Sequence, residues 1–135
     1  LKDIHAAKGG VRNVANAYSK TFLRNKPRLA SLFHMISSFN YSVEAPAGPI
    51  ASLVGNDAPT PDDLKDLKVP VLLIAGGKED TSTPVDVMEM AHKIIPSSSF
   101  VQVPEAGHSV YYEQPEIFNY LVHEFLKKSA VDSNI

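Results

Sequence analysis

An unbroken apolar run, Val71-Leu72-Leu73-Ile74-Ala75, stands between Pro70 and the pair Gly76-Gly77. A strand with one wet face alternates apolar and polar residues; a continuous run bounded by turn residues is the pattern of a strand buried on both faces. Downstream, Thr83 and Pro84 open a predicted helix, with Asp86 near its positive end. Val87, Met88, Ala91, Ile94 and Ile95 form its apolar face and Pro96 stops it. A second strand is predicted from Phe100 to Val103. Strand, helix, strand implies parallel pairing through a right-handed crossover. Two parallel strands do not make a stable sheet alone, because both faces and both edges need cover. The pattern therefore predicts further strands, from chain that precedes Leu1 or from partner chains.

The rest of the chain reads as helix and loop. Val11, Val14, Ala15, Tyr18 and Phe22 give helical spacing over residues 10–24, and Pro27 interrupts it. Leu29, Leu32, Phe33 and Ile36 repeat the pattern in a second helix. Residues 38–49 read as loop, Ile50 to Val54 as a short helical turn, and 55–63 as turn-rich. Thr60, Pro61 and Asp63 suit the N-cap, first and third positions of a short helix through Leu67. Pro115 opens a last helix with Phe118, Leu121, Val122, Phe125 and Leu126 on its apolar face, and residues 128–135 are expected to fray. The fold class is therefore α/β. A helical segment over 1–63 precedes a β-α-β-α unit over 64–128 and a tail over 129–135.

Composition narrows the function classes. A net charge of −2 gives no electrostatic case for nucleic acid or an anionic membrane. The longest apolar stretch, Val69 to Ala75, falls well short of the roughly 18 residues of a membrane span. The start LKDIHAAKGG has no apolar signal region, and its first residue is Leu rather than Met, so a truncated chain is expected. The absence of cysteine rules out disulfides, thiolate metal sites and a Cys nucleophile within this sequence, and fits a cytoplasmic protein.

Each predicted strand is followed by a loop with an ionisable residue: Asp80 after the first, His108 after the second. In open α/β sheets, sites form outside the carboxyl ends of the strands. Adjacent parallel strands would bring these two loops together. A carboxylate that accepts the Nδ1–H of an imidazole fixes the tautomer, and it stabilises the imidazolium formed when Nε2 takes a proton.

The segment from Gly76 to Pro84, G-G-K-E-D-T-S-T-P, resembles the acid turn of the α/β-hydrolase family. The segment A-G-H-S at 106–109, with E-Q-P-E-I-F from Glu113 to Phe118, is similar to the family's histidine loop and final helix. The resemblance covers residues 64–127; residues 1–60 resemble, in position and composition, the second half of the family's helical cap. It implies a partial α/β-hydrolase fold with Asp80 as the orienting acid and His108 as the general base. The family's chain order is nucleophile, acid, histidine, and Asp80 before His108 fits.

The nucleophile does not appear. No serine has glycine two residues before and two after; Ser109 has Gly107 behind it and Tyr111 ahead. Asp57 follows no strand. A complete member needs roughly twice this length, so this chain alone is expected to be inactive, with an N-terminal fragment or a homo-oligomer completing the sheet. The resemblance implies a hydrolase of ester-like or related carbonyl substrates that uses no metal or organic cofactor. It leaves open a non-hydrolytic member of the fold, such as a cofactor-free dioxygenase or a haloperoxidase-like enzyme. A non-catalytic, self-associating or receptor-like protein is the reading from another class.

Other motifs read more simply. Glu79 is the rival to Asp80, and with Lys78 is better placed as a surface charge. His123-Glu124 begins H-E-x-x-H but ends in Lys127, so no zinc site follows; His5, His34 and His92 show no ligand spacing. Gly76-Gly77-Lys78 lacks the upstream glycine and the Ser/Thr of a phosphate loop and reads as a tight strand exit. Tyr18, Phe22, Phe33, Met35 and Phe39 either line a pocket under a cap or pack helices together. Tyr111 and Tyr112 either wall the site or pack.

Overall fold

In the computed structural model of the chain, residues 17–38, 60–80 and 82–132 are described. Residues 1–16 hold His5 and most of the first predicted helix; 39–59 hold the predicted loop and turns, Phe39 and Asp57; both stretches, with Thr81 and 133–135, lie outside the described residues. The described elements run α1 (Lys20–Asn25), α2 (Pro27–Ser38), α3 (Pro61–Lys65), β1 (Val71–Ala75), α4 (Val85–Ile94), β2 (Ser98–Gln102), α5 (Val110–Glu113) and α6 (Pro115–Asp132).

β1 and β2 pair in parallel, Val71 opposite Ser98 through Ala75 opposite Gln102. The expected strand, helix, strand order is present: α4 lies between β1 and β2 in the chain. β1 spans the predicted residues. β2 begins two residues earlier than predicted, because Ser98 and Ser99 join the ladder without any apolar signal; Val103, expected inside the strand, lies just past it and is buried. Val71 to Ile74 are half-buried and only Ala75 is fully buried, so the described residues do not enclose β1 on both faces as its sequence predicts.

The helix signals are read locally and hold in part. Thr60 accepts the Asp63 N–H, and Asp63 accepts the Thr60 N–H at 2.7 Å, a reciprocal capping box with Pro61 at the first helical turn. α3 ends at Lys65, short of the predicted Leu67. Pro27 separates α1 from α2 and itself opens α2, where its missing N–H costs nothing. Of the predicted α2 face, Phe33 is half-buried while Leu29, Leu32 and Ile36 are exposed. Pro84 caps α4 rather than lying inside it, and Val87, predicted buried, is exposed, as is Leu126 on α6. α6 opens at Pro115 as predicted and continues to Asp132, through residues expected to fray.

Two small cores hold the chain at the carboxyl ends of the strands. Val103, Ala106 and Val110 are buried with Ile74, Phe118 and Leu121 packed against them. Beside them Tyr18 stacks on Phe22 at 5.2 Å between ring centroids, meets Phe33 edge-on at 5.3 Å, and lies 5.9 Å from Tyr112. Offset and edge-on rings at such spacings stabilise beyond their buried area. Of the residues expected either to pack helices or to line a pocket, Tyr18 and Phe22 are buried and Phe33 half-buried in this cluster, Phe22 also lines an open cleft, and Met35 is exposed. Tyr112 joins the cluster and its hydroxyl donates to the Leu29 carbonyl at 2.8 Å, whereas Tyr111 is exposed.

Candidate functional site

The loops after β1 and β2 touch. Gly77 N–H donates to the Ala106 carbonyl at 2.6 Å, and a Cβ on Gly76 would overlap the Gly107 carbonyl oxygen. Only glycine allows that approach. The Gly-Gly exit of β1 is thus a contact surface for the histidine loop, in line with its reading as a strand exit rather than a phosphate loop.

Asp80 sits on the first loop with its side chain 1% exposed. Its Oδ1 accepts the N–H groups of Ser82 at 2.9 Å and Thr83 at 3.0 Å, and its Oδ2 accepts the Thr83 hydroxyl at 2.8 Å. Burial pushes its pKa up, but the Thr83 N–H, the Thr83 hydroxyl, the Ser82 N–H and the His108 ring together outweigh burial and hold the carboxyl below its ordinary value. The group is therefore a carboxylate at neutral pH and can only accept hydrogen bonds.

That fixes the histidine. His108 Nδ1 lies 3.3 Å from each Asp80 oxygen and 3.2 Å from Thr83 Oγ1. The Thr83 proton is committed to Asp80, so every neighbour of Nδ1 offers a lone pair. Nδ1 must carry the proton, and the lone pair falls on Nε2. Nε2 has no hydrogen-bond partner among the described residues, and the side chain is 42% exposed. The arrangement presents a base to solvent with a buried anion behind it, able to accept a proton and to hold the resulting imidazolium.

Glu79 does not compete for the histidine. Its carboxylate accepts the Lys20 N–H at 2.5 Å, at the start of α1, and the residue is exposed. His123 and Glu124 lie on the exposed side of α6 as expected. His92 Nδ1 meets the Ser98 hydroxyl at 2.7 Å. Among the described residues no group of His, Asp and Glu is placed to hold a metal ion, and no helix is long and apolar enough to cross a membrane. Two open clefts, of about 210 and 410 Å³, flank the α1 start and the Pro104–Ala106 turn; neither is lined by Asp80 or His108.

Sequence reasoning brought Asp80 and His108 together but assigned Thr83 to the helix start, whereas its hydroxyl bridges the pair. It also passed over Glu113 as part of a helix-opening motif. Glu113 is 1% exposed and accepts hydrogen bonds from the Gly107 N–H and from Ser19. The available signal was a carboxylate in a turn whose neighbours, Val110 and Tyr112, belong to the core.

Comparison with known proteins places the fold. Residues 49–134 match the model of a family described as TAP-like protein. A protein of Bacillus subtilis (strain 168), named as a candidate 2-succinyl-6-hydroxy-2,4-cyclohexadiene-1-carboxylate synthase, is 41% identical over 63 residues, 47% of this chain and 22% of that protein. A thermophilic esterase from Thermogutta terrifontis superposes with a TM-score of 0.67 at 27% identity, over 87% of this chain and 42% of the esterase. An α/β-hydrolase enzyme from a Medee basin deep-sea metagenome library superposes at 0.65 with 24% identity, over 85% and 42% of the two chains. The chain thus spans less than half the length of these relatives.

Proposed function

The chain belongs to the TAP-like family of α/β-hydrolases, and from that premise we propose that it is the acid- and base-bearing C-terminal portion of a hydrolase of ester-like or related carbonyl substrates. The observation that carries the proposal is the buried Asp80 carboxylate behind the Nδ1 of His108, with Nε2 left open.

In this reading the nucleophile belongs to the part of the fold that the chain does not span. His108 Nε2 takes its proton as it attacks the substrate carbonyl, and Asp80 stabilises the imidazolium. His108 then returns that proton to the leaving alkoxide as the tetrahedral species collapses. In the second half His108 deprotonates a water that attacks the acyl-enzyme, and the proton returns to the nucleophile. Donors that stabilise the oxyanion belong to the same missing portion. No step calls on a metal or organic cofactor.

A second reading rests on the Bacillus subtilis relative, whose name denotes a synthase. There the same His108–Asp80 pair would serve a synthase rather than a hydrolase. The hydrolase reading predicts that the chain alone is inactive. The test is hydrolysis of short-chain p-nitrophenyl esters by the chain alone and by the chain joined to a nucleophile-bearing first half of the fold. Turnover only in the joined protein is expected; equal turnover by the chain alone would overturn the assignment of a missing nucleophile.

A further inference from the structure

Glu113 is a fully buried carboxylate that the acid–base scheme does not use. Among the described residues no cation pairs with it, and its partners there are neutral donors. Oε1 accepts the Gly107 N–H at 2.9 Å and the Ser19 N–H at 3.1 Å, and Oε2 accepts the Ser19 hydroxyl at 2.6 Å and the Ser19 N–H at 3.2 Å. A buried polar group persists only when it is hydrogen-bonded in this way, and removing it leaves its donors unsatisfied.

What these bonds join is specific. Gly107 immediately precedes His108. Ser19 caps α1, its hydroxyl accepting the Phe22 N–H at 3.0 Å. The adjoining Ser109 N–H donates to the Ala17 carbonyl at 2.9 Å. The histidine is therefore bracketed: the residue before it donates to Glu113, which also holds Ser19, and the residue after it donates directly to Ala17. The fit is tight: a Cβ on Gly107 would lie 2.5 Å from Ser19 N and 2.8 Å from Glu113 Oε1. By contrast, among the described residues the imidazole itself is held by contacts of 3.2–3.3 Å to Asp80 and Thr83. Contacts of that length do not fix a ring whose loop is free to shift, because hydrogen bonds weaken steeply as distance and angle depart from ideal.

We propose that Glu113 is a positioning residue for His108: its carboxylate clamps the histidine loop onto the Ser19 turn and so sets the distance from Nδ1 to Asp80. This rests on the reading of His108 and Asp80 as base and acid. It also makes the α1 start part of the site, since a shift of Ser19 would reach His108 through one carboxylate.

The test reads the His108 Nδ1–H proton in the ¹⁵N-labelled chain by NMR, through its rate of exchange with water at neutral pH. The variants are Asp80→Asn, Glu113→Ala and Glu113→Gln. Asp80→Asn should raise the exchange rate about tenfold or more, as loss of a charged acceptor implies. Glu113→Ala, with the fold retained in the amide spectrum, should approach the same rate. Glu113→Gln keeps one acceptor oxygen and should give a smaller rise, about threefold. A purely structural role would lower stability without moving this exchange in the folded chain. If Glu113→Ala does not fold, Glu113→Gln decides, and a rate unchanged from the parent chain overturns the proposal. An unchanged rate in Asp80→Asn would instead overturn the acid–base reading, so the two failures are distinct.

Discussion

Replacing Thr83 by valine keeps the side chain's shape and removes one hydroxyl, and with it the hydrogen bond to Asp80 and the longer contact to His108 Nδ1. That bond is 2.8 Å long and ends on a buried carboxylate. Hydrogen bonds to charged groups contribute about 1.5–3 kcal/mol. Asp80 keeps its two backbone donors at 2.9 and 3.0 Å, and Thr83 is half-buried, so the lower end applies, about 1.5–2 kcal/mol. With a urea slope of about 1–3 kcal/mol per molar, the unfolding midpoint should fall by about 0.5–2 M. The sign of the pH dependence follows from the depressed Asp80 pKa. Such a group contributes stability above its unfolded value, 3.8, and loses it as pH falls through its folded value. Thr83→Val raises that folded value toward the ordinary one. The deficit of the variant should therefore be full near neutral pH and shrink as Asp80 protonates in both proteins. Urea unfolding followed by circular dichroism across acid pH reads it. A deficit of the same size at every pH at which both proteins fold would refute the role given to the Thr83 hydroxyl.

Phe22→Ala should cost about 3–4 kcal/mol in urea unfolding, because it removes a 5% exposed ring stacked on Tyr18. Gly107→Ala should destabilise by about 2–4 kcal/mol, since backbone atoms of Tyr18 and Ser19 stand 2.6 and 2.5 Å from the new Cβ and cannot rotate away; thermal unfolding reads it, and a neutral result would show that the histidine loop is looser than its contacts.

The sequence carried the pair Asp80 and His108 because their positions are dictated by elements with strong signals. The run Val71–Ala75 locates β1, the glycine pair ends it, and parallel pairing then forces both loops to one edge. The Thr60–Asp63 capping box was legible for the same reason: both partners lie within one turn. What was not legible depends on tertiary contact. Glu113 and Ser19 are separated by 94 residues and meet only in the folded chain. Thr83 looks like a helix cap in sequence, and only the folded loop turns its hydroxyl toward Asp80. β2 escaped at its start because Ser98 and Ser99 have no apolar pattern; register with Val71 and Leu72 recruits them. Val87 and Leu126 follow helical periodicity yet are exposed, since a moment says which side is apolar and not what covers it.

The central claim is that His108 serves as the base of a hydrolytic site. Its most direct test is steady-state ester hydrolysis by the chain joined to the nucleophile-bearing half of the fold, comparing the parent with His108→Ala. A fall in kcat of about a thousandfold or more with KM little changed is expected, as for loss of a base that acts with its nucleophile as a unit. Turnover within a few fold of the parent would contradict it.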